Sequence, residues 1–256
     1  MKIKYVLAGI LIVLSFYITD KSMIYIRSKN PIMQEIISKQ DDYKVEPVNA
    51  IINDNTIIPG INGKEVDVNK TFNKMDDLGY FNDLYIIYSY SAPNLSLNDN
   101  KDKIIIKGNE QKNMVALIID HNTEVSNYLD SVNIKYTNIV YLEDKINKEQ
   151  IYINGESESK SFSNLNSILN NKKVNSKICL VNYSNLELCK KNKYYLVNYS
   201  INMNDNIFDN LNNISSGDIV LVSSNTTLTQ LKLLINEITR LDLKIDYLSN
   251  LISEKS

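Results

Sequence analysis

The sequence predicts an α/β fold in which parallel strands and helices alternate around a sheet or barrel. From residue 103 onward, short apolar runs of strand type alternate with helical stretches of eight or more residues, the pattern of β/α units. Residues 226–243 carry leucine and isoleucine at helical spacing and give the strongest helix signal in the chain. At 256 residues and 43% hydrophobic, the chain is long enough to bury one sizeable core.

The first twenty residues predict a membrane anchor. Lys2 and Lys4 precede an uncharged, mostly apolar run from Tyr5 to Ile18. That run is short for a bilayer core, which takes about 20 helical residues, so a cleaved signal peptide is an alternative and a buried helix is a third. We prefer an uncleaved anchor because no small-x-small cleavage site follows and the apolar character resumes at Met23. The expected location is the cell membrane, with the body of the protein outside.

Beyond residues 1–20, the sequence predicts three further regions. Residues 21–47 are polar, contain two prolines and predict a stalk. Residues 48–110 predict a small α+β module, in which β-like runs surround Pro-Gly and Asn-Gly turns and Asp67 caps a helix. Residues 111–256 hold the alternating strands and helices of the main domain.

Composition limits the classes of function. The formal net charge is −2, and only Arg27 and Arg240 offer the planar contacts that phosphates and bases favour. Nucleic acid is therefore not an expected partner. Cys179 and Cys189 are the only cysteines. They could pair in an exported protein, but small buried side chains are the commoner role and the one we expect.

The segment MVALIIDHN, residues 114–122, places polar residues at the end of an apolar strand. In a β/α barrel, this carboxyl end is the edge where active sites are built. The segment resembles the first motif of the polysaccharide deacetylases, the NodB-homology family, which typically reads V-A-L-T-F-D-D-G. Residues 215–252 are similar to the family's closing pattern of a Gly-x-Ile-x-Leu strand, a helix, and a final strand and helix. The small module resembles one that precedes degenerate deacetylase domains in low-GC Gram-positive bacteria.

The resemblance implies a distorted (β/α) barrel, export to the cell envelope, and metal-dependent removal of acetyl groups from polymers such as peptidoglycan or chitin. In the family, a divalent metal such as zinc is held by an Asp and two His, a second Asp is the base, and a distal His protonates the leaving amine. By position, the base corresponds to Asp120, the metal-binding Asp to His121, the glycine of the motif to Asn122 and the distal His to Ser223.

The metal site of the family is incomplete in this sequence. His121 is the only histidine, so no H-x-x-x-H motif can be present, and the region expected to hold it reads NGESESKSFSN. Two ligands fall short of the three that a catalytic zinc normally has. We therefore expect no metal and no other cofactor. Asp120, His121 and Ser223 would be vestigial catalytic positions, and Asp120, His121 and Asn122 would form a candidate ligand-binding surface.

The predicted function is binding. The chain would be a membrane-anchored, envelope-facing, catalytically inactive deacetylase-like protein, with a cell-wall glycan or an envelope protein as its partner. One alternative is an active hydrolase that removes acetyl groups from an envelope polysaccharide through an atypical site. Another is a structural component of an envelope or sporulation assembly.

Other sites in the sequence have weaker support. Ser-His-Asp chemistry would require His121 to reach Ser223 or Ser224, and a glycosidase pair would add Glu124 or Glu143 to the carboxylate of Asp120. The pairs Asn182-Tyr183 and Asn198-Tyr199 follow strands and could line a saccharide groove. Ordinary surface positions are the commoner role for such residues.

Overall fold

The structure is a computed structural model that describes residues 14–19, 21–23, 25–204 and 211–255. The strands are β1 (Ile51–Asn53), β2 (Thr56–Ile58), β3 (Gly63–Val66), β4 (Tyr88–Ser91), β5 (Ile104–Ile105), β6 (Met114–Asp120), β7 (Thr137–Val140), β8 (Ile151–Asn154), β9 (Ile178–Leu180), β10 (Tyr195–Val197), β11 (Ile201–Asn202), β12 (Ile219–Val222) and β13 (Lys244–Ile245). The α-helices whose bounds lie within the described residues include α1 (Pro31–Lys39), α2 (Val68–Asp76), α3 (Thr123–Ser131), α4 (Ser159–Lys172), α5 (Leu186–Lys191), α6 (Leu228–Arg240) and α7 (Leu248–Ile252).

The chain divides into two compact units. Unit 1 comprises Met1–Glu46 and Gly63–Ser91, and unit 2 comprises Pro47–Asn62 and Ala92–Ser256. These bounds differ from the predicted regions 48–110 and 111–256. The reason is strand pairing: β2 and β5 lie within the predicted small module, yet they pair with each other in parallel inside the sheet of unit 2.

Unit 1 includes helices α1 and α2 and an antiparallel strand pair, β3 with β4. Helix α2 begins as predicted, with the carboxylate of Asp67 accepting the amide of Lys70 at 3.0 Å. Helix α1 lies in the segment predicted as a stalk. It is not an isolated linker, because Ile32, Met33 and Ile36 are buried in the core of unit 1. The amphipathic spacing of these residues gives α1 a face to pack.

The predicted anchor falls largely outside the described residues, which leave out residues 1–13 and Asp20. Within the part of the chain that the structure describes, no helix combines the length and the apolar character needed to cross a bilayer. The stretches 14–19, 21–23 and 25–28 are helical.

Unit 2 is built on two mainly parallel sheets with strand orders β1-β2-β5-β10-β9 and β11-β12-β6-β7-β8, and β13 pairs with the start of β6. A parallel bridge between Tyr152 and Asn175 joins β8 to the residues before β9. The carboxyl ends of β6, β7, β8 and β9 therefore lie along one edge.

Strand β6 is the centre of unit 2. Ala116 and Ile118 face one core cluster, and Val115, Leu117 and Ile119 face the other. Because both faces are buried, the strand is an unbroken apolar run rather than an alternating one. Helix α6 packs on the second cluster, which also receives buried side chains of α3. The end of β6, where the polar residues begin, is thus held rigidly.

One strand is additional to those that the sequence pattern indicates. Strands β5 and β6 lie on either side of Gly108-Asn109, where the sequence pattern places two strands around a turn, and the two strands belong to different sheets. Strand β8 was not predicted. It lies immediately before the segment NGESESKSFSN and forms the far edge of its sheet beside β7.

The two cysteines are paired and buried. Cys179 in β9 and Cys189 in α5 form a disulfide, and both side chains lie in a core cluster with Phe162. Burial was the expected role of these cysteines and pairing was the alternative, and in the structure they are both buried and paired. The bond encloses the turn that follows β9.

Candidate functional site

The site begins where β6 ends. Asp120 is the last residue of the strand, and His121 follows with a left-handed backbone, φ +46°. The imidazole Nδ1 lies 3.0 Å from the Asp120 carboxylate Oδ1. The side chain of His121 is 53% exposed, and that of Asp120 is 33% exposed. The structure thus brings two of the predicted residues together on an accessible surface.

The end of β7 completes the surroundings of the imidazole. The His121 ring stacks on Tyr141, with ring centroids 4.6 Å apart and an interplanar angle of 20°. Its Nε2 lies 3.8 Å from the carboxylate of Asp144, which also accepts the amide N–H of Tyr141 at 2.8 Å. Burial raises the pKa of the Tyr141 phenol, and the charges of nearby carboxylates raise it further. The imidazole therefore lies between two carboxylates and against one aromatic ring.

The end of β8 supplies a third carboxylate. Glu156 accepts the amide N–H of Leu142 at 2.7 Å, which ties the loop after β8 to the loop after β7. Asn154 is buried and fixes that loop, since its side-chain oxygen accepts the Glu156 amide at 3.0 Å and its amide group donates to Asn166 at 2.8 Å.

Gly155 makes room for the aromatic ring of the site. A Cβ atom at this position would lie 2.6 Å from Cζ of Tyr141 and 2.7 Å from a methyl carbon of Ile139. The Tyr141 ring can therefore occupy its position only because residue 155 has no side chain.

Asn122 and Ser223 have structural partners. The side-chain oxygen of Asn122 caps α3 by accepting the Val125 amide at 3.1 Å, and its amide group donates to the carbonyls of Ser223 and Thr226, both at 2.9 Å. The Ser223 hydroxyl donates to the side chain of Asn204 at 2.5 Å. Asn122 joins the end of β6 to the end of β12, so its amide is already used within the fold.

A turn after β9 presents an aromatic residue at the same edge. The side-chain oxygen of Asn182 accepts the amides of Ser184 and Asn185 at 2.9 and 3.0 Å, and that of Asn185 accepts the Asn182 amide at 2.8 Å. Asn185 is buried and donates to the carbonyl of Leu180 at 2.9 Å. Tyr183, at the tip of this ordered turn, is fully exposed. Tyr199, the other tyrosine considered, packs against the core instead.

The donor atoms do not fit the catalytic metal that the resemblance implies. His121 supplies one imidazole, with one nitrogen directed to Asp120 and the other near Asp144, whose carboxylate is engaged by a backbone amide. A catalytic zinc needs three protein ligands and an open position. Among the described residues, no group of three or more His, Cys, Asp or Glu side chains is arranged to hold a metal ion.

Sequence reasoning missed three members of this site: Tyr141, Asp144 and Glu156. Tyr141 and Asp144 follow β7, which pairs with β6, and Glu156 follows β8, which pairs with β7. Their position after the carboxyl end of a parallel strand is the sequence signal that could have identified them. Glu143 was named as a candidate, but it is Asp144 that approaches the imidazole. Glu124, Glu143 and Ser224 are exposed on the surface.

The fold is that of carbohydrate esterase family 4 (CE4) proteins, and it confirms the resemblance to polysaccharide deacetylases at the level of structure. No protein-family model matches the chain. A BA3943 mutant, described as a CE4 family pseudoenzyme, aligns with a TM-score of 0.58 and 19% identity, over 88% of this chain and 98% of that one. Wild-type BA3943 of Bacillus anthracis aligns with a TM-score of 0.55 and 17% identity. The alignment covers 88% of this chain and 95% of that one.

A curated relative matches by sequence. The uncharacterized protein YlxY of Bacillus subtilis strain 168 is 36% identical over 94 residues, which are 36% of this chain and 30% of YlxY. The chain thus covers less than a third of the length of that relative.

Proposed function

We propose that the chain is a catalytically inactive, deacetylase-like binding protein of the cell envelope. The arrangement around His121 carries this proposal. The single imidazole of the chain contacts Asp120, stacks on Tyr141 and lies near Asp144, so the position that would hold a metal instead holds a compact polar cluster. With one histidine in the sequence, the two-histidine metal motif of the deacetylases cannot form.

The likeness to BA3943 is compatible with an inactive scaffold. That protein is a CE4 family pseudoenzyme, and one of its mutants has restored enzymatic activity. The fold can therefore persist in a protein that is named a pseudoenzyme. The polar edge formed by β6, β7 and β8 would then serve for recognition rather than turnover.

A membrane-attached body outside the cell is the location we propose. The apolar run of residues 5–18 supports attachment, with Lys2 and Lys4 before it. The pairing of Cys179 with Cys189 supports an extracytoplasmic body, because structural disulfides persist mainly in oxidising compartments.

A cell-wall glycan is the ligand that the surface chemistry favours. Tyr183 stands fully exposed on an ordered turn, and an exposed aromatic ring offers an apolar face to a sugar ring. Carboxylates of Asp120, Asp144 and Glu156 lie at the same carboxyl edge of the strands and accept hydrogen bonds from hydroxyl or amino groups. Aromatic faces combined with a few polar groups are typical of small-molecule sites.

Sedimentation with insoluble peptidoglycan tests the binding. Full-length protein in detergent micelles should co-sediment with the polymer, and Tyr183→Ala should lower the retained fraction several-fold without changing the thermal unfolding. Tyr80→Ala is the matched control, because Tyr80 is an exposed tyrosine of unit 1. Equal retention of Tyr183→Ala and wild type, or no retention of either, would overturn the assignment of this surface to a glycan.

Acetate release and metal retention test the inactivity. After incubation with Zn²⁺ and desalting, the protein should retain less than one equivalent, with no difference between wild type and His121→Ala. It should release no acetate from acetylated peptidoglycan. Zinc-dependent release that Asp120→Asn abolishes would contradict the proposal and favour the active hydrolase.

A further inference from the structure

A cavity lies at the amino ends of β7 and β8 in unit 2, at the edge opposite to the one that carries His121. Lys135 and Tyr136 come directly before β7, Glu149 and Gln150 come directly before β8, and all four line the cavity. Its volume is about 340 Å³. Small-molecule pockets span about 300–1,000 Å³, so the cavity has the size of a site for one small ligand.

A buried hydrogen-bond network fixes one carboxylate at the cavity wall. The Tyr136 hydroxyl donates to Oδ1 of Asp130 at 2.9 Å and accepts Nε2 of Gln150 at 2.7 Å. The side-chain oxygen of Gln150 accepts the Tyr152 hydroxyl at 3.0 Å and the Asn138 amide at 2.9 Å. Both tyrosines are buried, whereas Asp130 is exposed. The Asp130 carboxylate is therefore held in one orientation and remains accessible to a ligand.

The charges around the cavity do not balance. Within the part of the chain that the structure describes, neither Asp130 nor Glu149 forms an ion pair. Lys135 also lines the cavity, but its ammonium lies 3.1 Å from the buried carboxylate of Asp246, which Lys244 approaches to 3.3 Å. Three carboxylates thus face two ammonium groups. One negative charge remains for a cation from outside the protein.

The position of Asp130 in its helix is electrostatically unfavourable. It lies in the last turn of α3, which contains no basic residue. The helix dipole places partial negative charge at this end, so a carboxylate here is repelled and a cation is attracted. The network through Tyr136 nevertheless holds the carboxylate in place. A positively charged ligand group would relieve the repulsion.

We infer that this cavity binds an amino sugar, whose ammonium group pairs with Asp130 and Glu149. The half-buried ring of Tyr247 gives a sugar ring an apolar surface, and the side-chain amides of Asn133 and Asn147 supply donors for its hydroxyl groups. The polar lining disfavours an apolar amine, since hydrophobic walls are needed to bury one. The inference does not depend on the proposed glycan surface, which lies at the opposite edge of the strands.

Single-tryptophan fluorescence tests this inference, because the chain contains no tryptophan. Full-length Tyr247→Trp protein in detergent micelles is titrated with protonated glucosamine, and the emission of the indole should change saturably. Glucose and N-acetylglucosamine lack the charge and should require about fivefold higher concentrations. Calorimetry on the protein with its native Tyr247 repeats the comparison, so that an indole that blocks the cavity cannot hide binding.

Asp130→Asn should abolish the preference for glucosamine over glucose. The asparagine oxygen still accepts the Tyr136 hydroxyl, so the thermal unfolding should change little while the charge is lost. Asp102→Asn, at an exposed turn of unit 2, is the matched control and should keep the preference.

Three outcomes would overturn the inference. One is an equal affinity for glucosamine and glucose, or no saturable binding of either, in both the fluorescence and the calorimetric titration. Another is a preference that Asp130→Asn retains. The third is a response to glucosamine in Tyr183→Trp protein but not in Tyr247→Trp protein, because it would place the amino sugar at the edge with Tyr183. In that case the proposed glycan surface stands and only the cavity assignment fails.

Discussion

Two aspartates at strand ends in unit 2 have opposite surroundings. Asp120, at the end of β6, has a side chain that is 33% exposed and contacts His121 at 3.0 Å. Asp246, directly after β13, has a side chain that is 6% exposed. It accepts the Tyr247 amide at 2.8 Å and the Asn250 side chain at 3.0 Å.

Two partly exposed lysines pair with this buried carboxylate. Lys135 lies 3.1 Å and Lys244 lies 3.3 Å from the carboxylate of Asp246. Burial raises the pKa of Asp246, but hydrogen bonds from Tyr247, Asn250 and the two lysines outweigh it, so the pKa is lowered overall. A carboxylate whose hydrogen-bonding capacity is used within the fold stabilises the fold, whereas an exposed carboxylate with one contact retains capacity for a ligand.

The largest expected effect follows removal of the saturated carboxylate. Asp246→Ala should lower the free energy of unfolding by about 3 kcal/mol, because the amide of Tyr247 and the side chain of Asn250 lose a charged acceptor that is buried. Denaturant titration measures this change. Asp102→Ala, at an exposed turn, is the control and should change stability by less than about 0.5 kcal/mol. A similar small effect at Asp246 would erase the distinction between the two aspartates.

Acid titration sharpens the same contrast. Since the folded pKa of Asp246 lies below the unfolded value of about 3.9, its stabilisation is present above that pH and is lost as pH falls through the folded pKa. Wild type should therefore lose more stability than Asp246→Asn between about pH 5 and pH 2. Parallel curves for the two proteins would mean that the hydrogen bonds to Asp246 do not favour its charged form.

Tyr136, another buried polar residue, should make stability depend on pH in the alkaline range. Burial, followed by the hydrogen bond to Asp130 at 2.9 Å, raises the pKa of Tyr136 to about 12. Because the unfolded phenol ionises near 10, the folded state keeps a proton that the unfolded state loses, and stability falls as pH rises from about 10 to 12.

Tyr136→Phe should lower the free energy of unfolding by about 1 kcal/mol at neutral pH, because the hydrogen bond to Asp130 is lost. It should also flatten the alkaline decline in stability. The fully exposed Tyr183, changed to Phe, should alter neither measurement. An unchanged alkaline slope in Tyr136→Phe would show that other groups cause the decline.

The smallest expected effect is at His121. Residue 121 has a left-handed backbone, φ +46°, which glycine adopts without the steric cost of about 1 kcal/mol that a residue with a Cβ atom bears. This gain offsets the loss of the contacts made by an exposed imidazole. His121→Gly should therefore change the free energy of unfolding by less than about 0.5 kcal/mol. If the variant loses stability as Asp246→Ala does, the imidazole is structural and the contrast between the two strand ends disappears.

The elements with strong local signals were predictable. Strand β6 is an apolar run, α6 has a regular apolar stripe, and Asp67 stands where a cap is expected. Strand β8 has only four residues and no run of apolar side chains long enough to distinguish it from a loop. Its position is set by pairing with β7, which is information from tertiary structure.

Only part of the candidate site was predictable, because local signals place some of its residues and tertiary pairing places the others. Asp120 ends a strand with a clear apolar signal and His121 follows it, so their position at a sheet edge could be deduced. Tyr141 and Asp144 lie near His121 because β7 pairs with β6. Local composition does not predict the order of strands in a sheet. The role of Asn122 as a brace between β6 and β12 likewise required the structure.

Gly155 has a consequence for how this surface tolerates mutation. A methyl group there would collide with the Tyr141 ring, which in turn supports His121. Gly155→Ala and His121→Ala should therefore be strongly non-additive in a double-mutant cycle, although the two residues belong to different strand ends. Substitutions across this surface are epistatic, because a change directly after β8 alters which side chains are tolerated at the end of β6.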